Sequence, residues 1–300
     1  MRCHLYYNWS KHPHERRTTM RLAIDFGGDL IKLGLERGLR MLKDAGFDGI
    51  DYNIRTYQLG DDFREIARDI KAMLDEIGLC CVQVHAPHNF TYGTAMDFSN
   101  QQYRETFRSI EFTKILGADK CVIHGSAVPD GPLSGQFMEH NYIYYKTFEA
   151  EAIRCGISIG VENLKRGILP RPEYINKMLG LLDSPVYYPH VDLGHSALVG
   201  IEPDVFLRKL NCLPVRGIHV HDYNVQTDHM LPFLGNSDWN RIVKALVDIG
   251  YEGDMTMELF MTYRMAAAYS EELLPSLFRL SAEVGRELIR RIEAERSARV

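Results

Sequence analysis

The stretch that decides the reading of this chain is Val191-Asp192-Leu193-Gly194-His195-Ser196. It closes a largely apolar run, 186–191, that reads as a buried strand. Asp192 and His195 stand where that strand gives way to a loop. A carboxylate and an imidazole exposed together at such a point can hold a metal or polarise a substrate. Three other apolar runs end the same way: Glu162 follows 157–161, His221 follows 217–220, and Glu258 follows 255–257. Four strands delivering two Glu, one Asp and one His to one rim make a divalent metal site.

Working outward, a two-beat rhythm surrounds that stretch. Strand-like runs at 21–26, 49–54, 79–84 and 120–123 precede the one that ends in Glu162, and helical patterns at 32–45, 62–77, 100–116 and 136–154 separate them. Gly46, Gly78, Gly117 and the pair Cys155-Gly156 supply the stops. Beyond Glu162 the pattern continues with helices at 173–182, from Pro203, and at 238–249, then a last strand at 254–257. The tail from 270 to 295 reads as one long amphipathic helix with a kink expected at Pro275.

Eight apolar strands alternating with helices imply a parallel sheet covered on its outer face, and the count fits an α/β fold closed as a (β/α)8 TIM barrel, a single domain. An open doubly wound sheet would carry a Gly-rich phosphate loop after its first strand. Asp25-Phe26-Gly27-Gly28 is not that loop. The barrel is expected over 20–300, C-terminal helix included. Residues 1–19 are polar and rich in His and Arg, and are expected to form a disordered, dispensable N-terminal extension.

Composition agrees with this reading. Three hundred residues with 45% hydrophobic content can bury a large core, and a net charge of −5 argues against a nucleic-acid face. The six cysteines show no metal-type spacing, and Cys80, Cys81 and Cys121 sit in apolar runs as reduced, buried thiols. No stretch approaches a membrane span, and the N-terminus lacks the apolar segment of a secretory signal. A cytoplasmic protein without membrane or nucleic-acid partners is expected, with a homo-oligomer allowed.

The ordered motifs Val84-His85-Ala86-Pro87, Ile123-His124-Gly125, Val161-Glu162-Asn163, Val191-Asp192-Leu193-Gly194-His195, His219-Val220-His221-Asp222 and Met257-Glu258 together carry a family resemblance. With Asp238-Trp239 and Gly250-Tyr251-Glu252-Gly253, the chain from Met20 to about Phe260 resembles the xylose-isomerase-like sugar isomerase and epimerase superfamily. The resemblance implies one divalent ion held by Glu162, Asp192, His221 and Glu258, two glutamates that move protons, and a substrate contact from His195. Two positions depart from the ketohexose epimerases: Ile168 stands where they have a glutamate, and Thr227 where they have an arginine.

The chemistry that fits is isomerisation or epimerisation of a sugar, sugar phosphate or keto-polyol through an enediolate. Glu162 and Glu258 are the candidate catalytic acid–base pair. Three carboxylates and an imidazole suit Mn²⁺ or Mg²⁺, with Co²⁺ or Zn²⁺ as alternatives. His85, His124, His195 and His229 are the candidate substrate contacts. For His85 and His124 the competing reading is plain polar filling, and for His229 a surface position. His219 shares a strand face with His221 and is expected to be its buried partner rather than a ligand. Trp239, Phe26 and Tyr52 are expected in the core, with an apolar face for a sugar ring as the alternative. Tyr142, Tyr144 and Tyr145 are expected to pack the helix over 136–154. Lys165 and Arg166 are expected as exposed loop charges, with phosphate or hydroxyl binding as the alternative. An inosose-type or 3-keto-sugar dehydratase uses the same groups. An apurinic endonuclease of the endonuclease IV type would recruit His85, His124, His195 and Asp228 or His229 as extra zinc ligands. A sugar-binding barrel without activity is the third class.

Overall fold

The computed structural model describes residues 19–27, 30, 33–87, 100–126, 135–165, 169–224, 227–259 and 270–299. The expected extension lies almost wholly outside them, as do Arg166 and Ile168. Eight parallel strands close into one barrel in sequence order: β1 (Leu22–Phe26), β2 (Gly49–Asn53), β3 (Cys80–His85), β4 (Lys120–Ile123), β5 (Ser158–Glu162), β6 (Tyr187–Asp192), β7 (Gly217–Val220) and β8 (Met255–Met257). Closure is direct, with Leu22, Ala23 and Ile24 paired to Met255, Thr256 and Met257. The (β/α)8 barrel read from the strand count is therefore the fold.

The crossover helices are α1 (Leu35–Ala45), α2 (Phe63–Ile77), α3 (Gln101–Leu116), α4 (Gly135–Cys155), α5 (Pro172–Leu182), α6 (Leu193–Leu198), α7 (Pro203–Lys209) and α8 (Trp239–Asp248). Their buried residues fall on one stripe, as in α2, where Phe63, Ala67, Ile70, Leu74 and Ile77 face the sheet. Gly78 ends α2 with φ 78°, a left-handed cap that lets its N–H reach the carbonyls of Leu74 and Asp75. Among the described residues, no helix is long and apolar enough to cross a membrane.

Two local expectations change. The tail helix α9 (Leu274–Ser297) starts beside Pro275, which sits in its first turn, where the missing N–H costs nothing. Pro275 thus opens this helix instead of kinking it. After β6 the chain forms no open loop: Asp192 caps α6, its carboxylate accepting the His195 N–H at 2.7 Å. An aspartate is a strong helix N-cap, and that second role was hidden behind its role as a candidate ligand.

The N-terminal end of the barrel is held by charge. The Arg21 guanidinium donates from Nε and Nη2 to the two oxygens of Asp254, each at 2.7 Å, joining the entry to β1 with the entry to β8. Lys120 Nζ adds a third donor at 3.1 Å. The C-terminal end gathers the residues singled out in the sequence.

Candidate active site

Strand ends place the acids. Glu162 and Asp192 are the last residues of β5 and β6, and Glu258 directly follows β8. Glu162 and Asp192 are sealed from solvent by the strands around them, at 1% and 0% exposed, while Glu258 leaves 12% of its side chain open. His219 on β7 and His221, just past its end, face the same way at different depths. The deeper, His219, has Nδ1 at 3.0 Å from Glu162 Oε1, 3.2 Å from Glu258 Oε2 and 4.0 Å from Asp192 Oδ2. One donor atom from each of Glu162, Asp192, His219 and Glu258 falls within 4.8 Å of all the others.

The set around Glu162 thus contains His219 where the sequence reading had His221. His221 joins a second set with Asp192, His229 and Glu258. Its hydrogen bonds define its state. The His229 N–H donates to His221 Nδ1 at 3.0 Å, so Nε2 carries the ring hydrogen, and it faces Asp192 Oδ1 and Oδ2 at 2.9 and 3.0 Å. His221 therefore braces Asp192. Gly194 makes room for it, since a Cβ there would lie 2.0 Å from His221 Cε1.

Histidines surround the acids on both sides. His124 Nε2 lies 2.8 Å and His85 Nε2 3.3 Å from Glu162 Oε2, the oxygen that His219 does not use. His195 Nδ1 lies 3.1 Å from the Asn163 carbonyl, which can only accept, so that nitrogen carries a hydrogen. His229 is buried, not a surface histidine. It stacks on His221 with ring centroids 4.1 Å apart, and places Nδ1 3.0 Å from Asp228 Oδ1 and Nε2 3.5 Å from Glu258 Oε2. Lys165 completes this line by pairing with Asp228, so it is not a free loop charge. Three further sets of potential ligands result among the described residues: His85–His124–Glu162, His195–Asp228–His229 and the buried Glu162–His190–His219.

Electrostatics follow from this crowding. Burial alone would raise the Glu162 carboxyl, but His219 and His124 outweigh it and hold it well below its ordinary range. Burial likewise opposes ionisation of Asp192, and His195 and His221 reverse the sign. His229 is pushed up to about 10, because Glu258 and Asp228 overcome a desolvation that favours the neutral ring. On β1, Asp25 moves the other way, to about 7, driven by burial and then by the charge of Glu258. Buried carboxylates this dense require positive charge among them. The donor set fits a hard divalent cation, which Glu162, Asp192, His219 and Glu258 would hold.

The loop after β7 is organised by Asp222, which is fully buried. Its carboxylate accepts the backbone N–H groups of Tyr223, Phe233, Gly235 and Ser237 and the indole N–H of Trp239, at 2.9 to 3.1 Å. Trp239 and Tyr145 are core residues, as expected. Thr227 lies in this loop and bonds locally, its N–H to Asn224 Oδ1 and its hydroxyl to the Asp228 carbonyl. Sequence reasoning passed over Asp25 and Asp51. The available signal was an acid inside each of two apolar strands, at inward positions where a barrel normally carries branched apolar residues.

Comparison with known proteins places this architecture. A family profile, that of the xylose isomerase-like TIM barrel, matches residues 39–279, and the chain belongs to that family. An uncharacterized protein of Sinorhizobium fredii is 28% identical over 263 residues, covering 75% of this chain and 81% of that protein. Among solved structures, a D-tagatose 3-epimerase-like protein superposes with a TM-score of 0.66 at 21% identity, covering 86% of this chain and all of that one. A D-psicose 3-epimerase from Clostridium cellulolyticum, determined with D-tagatose, gives 0.70 at 14% identity, covering 90% of this chain and 99% of that one. A 3-keto-D-glucoside 4-epimerase from E. coli gives 0.65 at 16% identity, covering 84% and 98% of the two chains. At these identities the likeness is one of fold.

Proposed function

We propose that this protein is a divalent-metal-dependent sugar isomerase or epimerase that moves a proton beside a carbonyl. The observation that carries the reading is the convergence of Glu162 Oε1 and Glu258 Oε2 on one point, His219 Nδ1, with Asp192 in the same cluster. The sugar epimerases among its structural neighbours support the substrate class. When bound, the cation supplies positive charge against the negative charge that develops on a carbonyl oxygen.

The chain's own residues do the rest. One glutamate carboxylate takes the proton from the carbon next to the carbonyl, and the C–H electron pair moves toward the carbonyl oxygen. Delivery of a different proton to the opposite face by the other glutamate, which must start the turnover protonated, inverts that carbon and leaves the first glutamate protonated. Return of the first proton to the neighbouring carbon isomerises instead. His195, with Nδ1 committed to Asn163, keeps Nε2 as the ring position that accepts a hydrogen bond from a substrate hydroxyl. His124 and His85 hold Glu162, and His229 holds Glu258. Incubating ketohexoses, ketopentoses, their phosphates and 3-keto-sugars with enzyme and Mn²⁺ in D₂O tests the reading. Deuterium entering beside a carbonyl supports it, and no exchange across the panel removes it.

The two flanking sets favour one second reading, a phosphoester hydrolase with zinc ions at His85–His124–Glu162 and His195–Asp228–His229 as well as at the centre. The metal count separates the two. One ion per chain supports the sugar enzyme, and three zinc ions support the hydrolase.

A further inference from the structure

Beneath the acids, the barrel interior departs from the usual filling of branched apolar side chains. Asp51 of β2, Gln83 of β3 and His219 of β7 meet there, each at most 1% exposed. Gln83 Nε2 donates to Asp51 Oδ2 at 2.7 Å, and the same oxygen lies 2.9 Å from His219 Nε2. A carboxylate at the centre of a barrel is costly to desolvate, so its position demands a purpose beyond filling space.

Two groups face His219 Nε2: Asp51 Oδ2 at 2.9 Å and the Gln83 amide nitrogen at 3.1 Å. A carboxylate oxygen that faces a ring nitrogen accepts from it, so Nε2 donates to Asp51 Oδ2, and Nδ1 carries the second hydrogen toward Glu162 Oε1 until a cation displaces it. Nδ1 is also the atom that faces Glu162 Oε1 and Glu258 Oε2. Gln83 fixes Asp51 in turn, so the orientation of His219 is set from β3 through β2 to β7. We propose that Asp51 is a positioning residue that locks His219 in its Nε2–H tautomer and aims Nδ1 at a divalent cation shared with Glu162, Asp192 and Glu258. This inference rests on the metal centre proposed above. Histidine ligands commonly donate their second N–H to a carboxylate, and losing that partner weakens metal affinity by roughly 10–100-fold.

The test pairs calorimetric titration of Mn²⁺ into the full-length protein with long-range nitrogen–proton NMR of ¹⁵N-histidine-labelled protein loaded with Zn²⁺. Asp51→Asn keeps the volume but its amide no longer enforces donation from His219. It should bind Mn²⁺ about 10–100-fold more weakly, and its His219 should lose the single Nε2–H signature that the wild type shows. A purely structural Asp51 would lower the melting temperature and leave the Kd and the tautomer unchanged, and that pair of results overturns the proposal. Should Asp51→Asn not fold, the wild-type spectrum decides alone, because a His219 that keeps its hydrogen on Nδ1 once Zn²⁺ is bound is incompatible with the inference. Failure of the wild type to take up any ion sinks the metal centre itself. Wild-type uptake with an unaffected variant sinks only the role of Asp51.

Discussion

Asn163 and Asp192 are tied twice across the end of the sheet: Asn163 Nδ2 donates to the Asp192 carbonyl at 2.9 Å, and the Asp192 N–H returns a bond to Asn163 Oδ1 at 2.8 Å. Strand pairing between β5 and β6 has stopped at Glu162, so this side chain extends the ladder by one step. It fixes the spacing of two candidate ligands, and its own carbonyl holds His195. Asn163→Ala leaves two buried backbone groups without partners and should cost about 1–3 kcal/mol, measured by chemical denaturation. Stability equal to wild type would mean that the double bond contributes nothing net.

Glu162→Gln and Glu258→Gln should each do two separable things. The lost anionic ligand weakens Mn²⁺ binding, which excess metal restores. The lost base slows deuterium exchange by ~10²–10⁴-fold, which metal does not restore. Exchange near the wild-type rate in both variants at saturating Mn²⁺ would end the two-carboxylate mechanism.

Gly194→Ala should displace His221, because the new Cβ would meet its ring at 2.0 to 2.9 Å. The expected outcome is a folded protein, destabilised by about 1–3 kcal/mol as for other overpacked sites, in which Asp192 loses its brace and Mn²⁺ affinity falls. Circular dichroism with calorimetry checks this, and unchanged affinity would detach His221 from the centre.

Asp254 predicts an acid limb. Burial would raise its carboxyl, but Lys120 and Arg21 bring it down to about 2 from an ordinary 3.8. A depressed carboxyl stabilises the fold fully above its unfolded value and loses that contribution as pH falls toward the folded one. The network should therefore supply about 2 kcal/mol above pH ~4 and lose it toward pH ~2. The stability gap between wild type and Asp254→Asn should narrow over that window. A gap independent of pH would refute the assignment.

The barrel and its rim were legible because each strand ends an apolar run, and Glu162, Asp192 and Glu258 stand where periodicity places the last strand residue. The depth of β7 was not legible. His219 and His221 share one face by alternation, and only the closure of the barrel around Asp51 reveals which ring lies beside Glu162. His229 was equally hidden, since its burial follows from a φ of 57° and from stacking on a residue eight positions earlier. Pairings between distant side chains leave no trace in local pattern.

The five N–H groups gathered by Asp222 have a consequence for how this rim can change over time. Four of the donors are backbone, and three of them lie between Phe233 and Ser237, so the path from Phe233 to Trp239 is specified largely by one carboxylate. An exposed side chain along it, such as Leu234, can be exchanged without redrawing that path. Selection or a library can therefore retune what the mouth of the barrel admits while the acids beneath it keep their places.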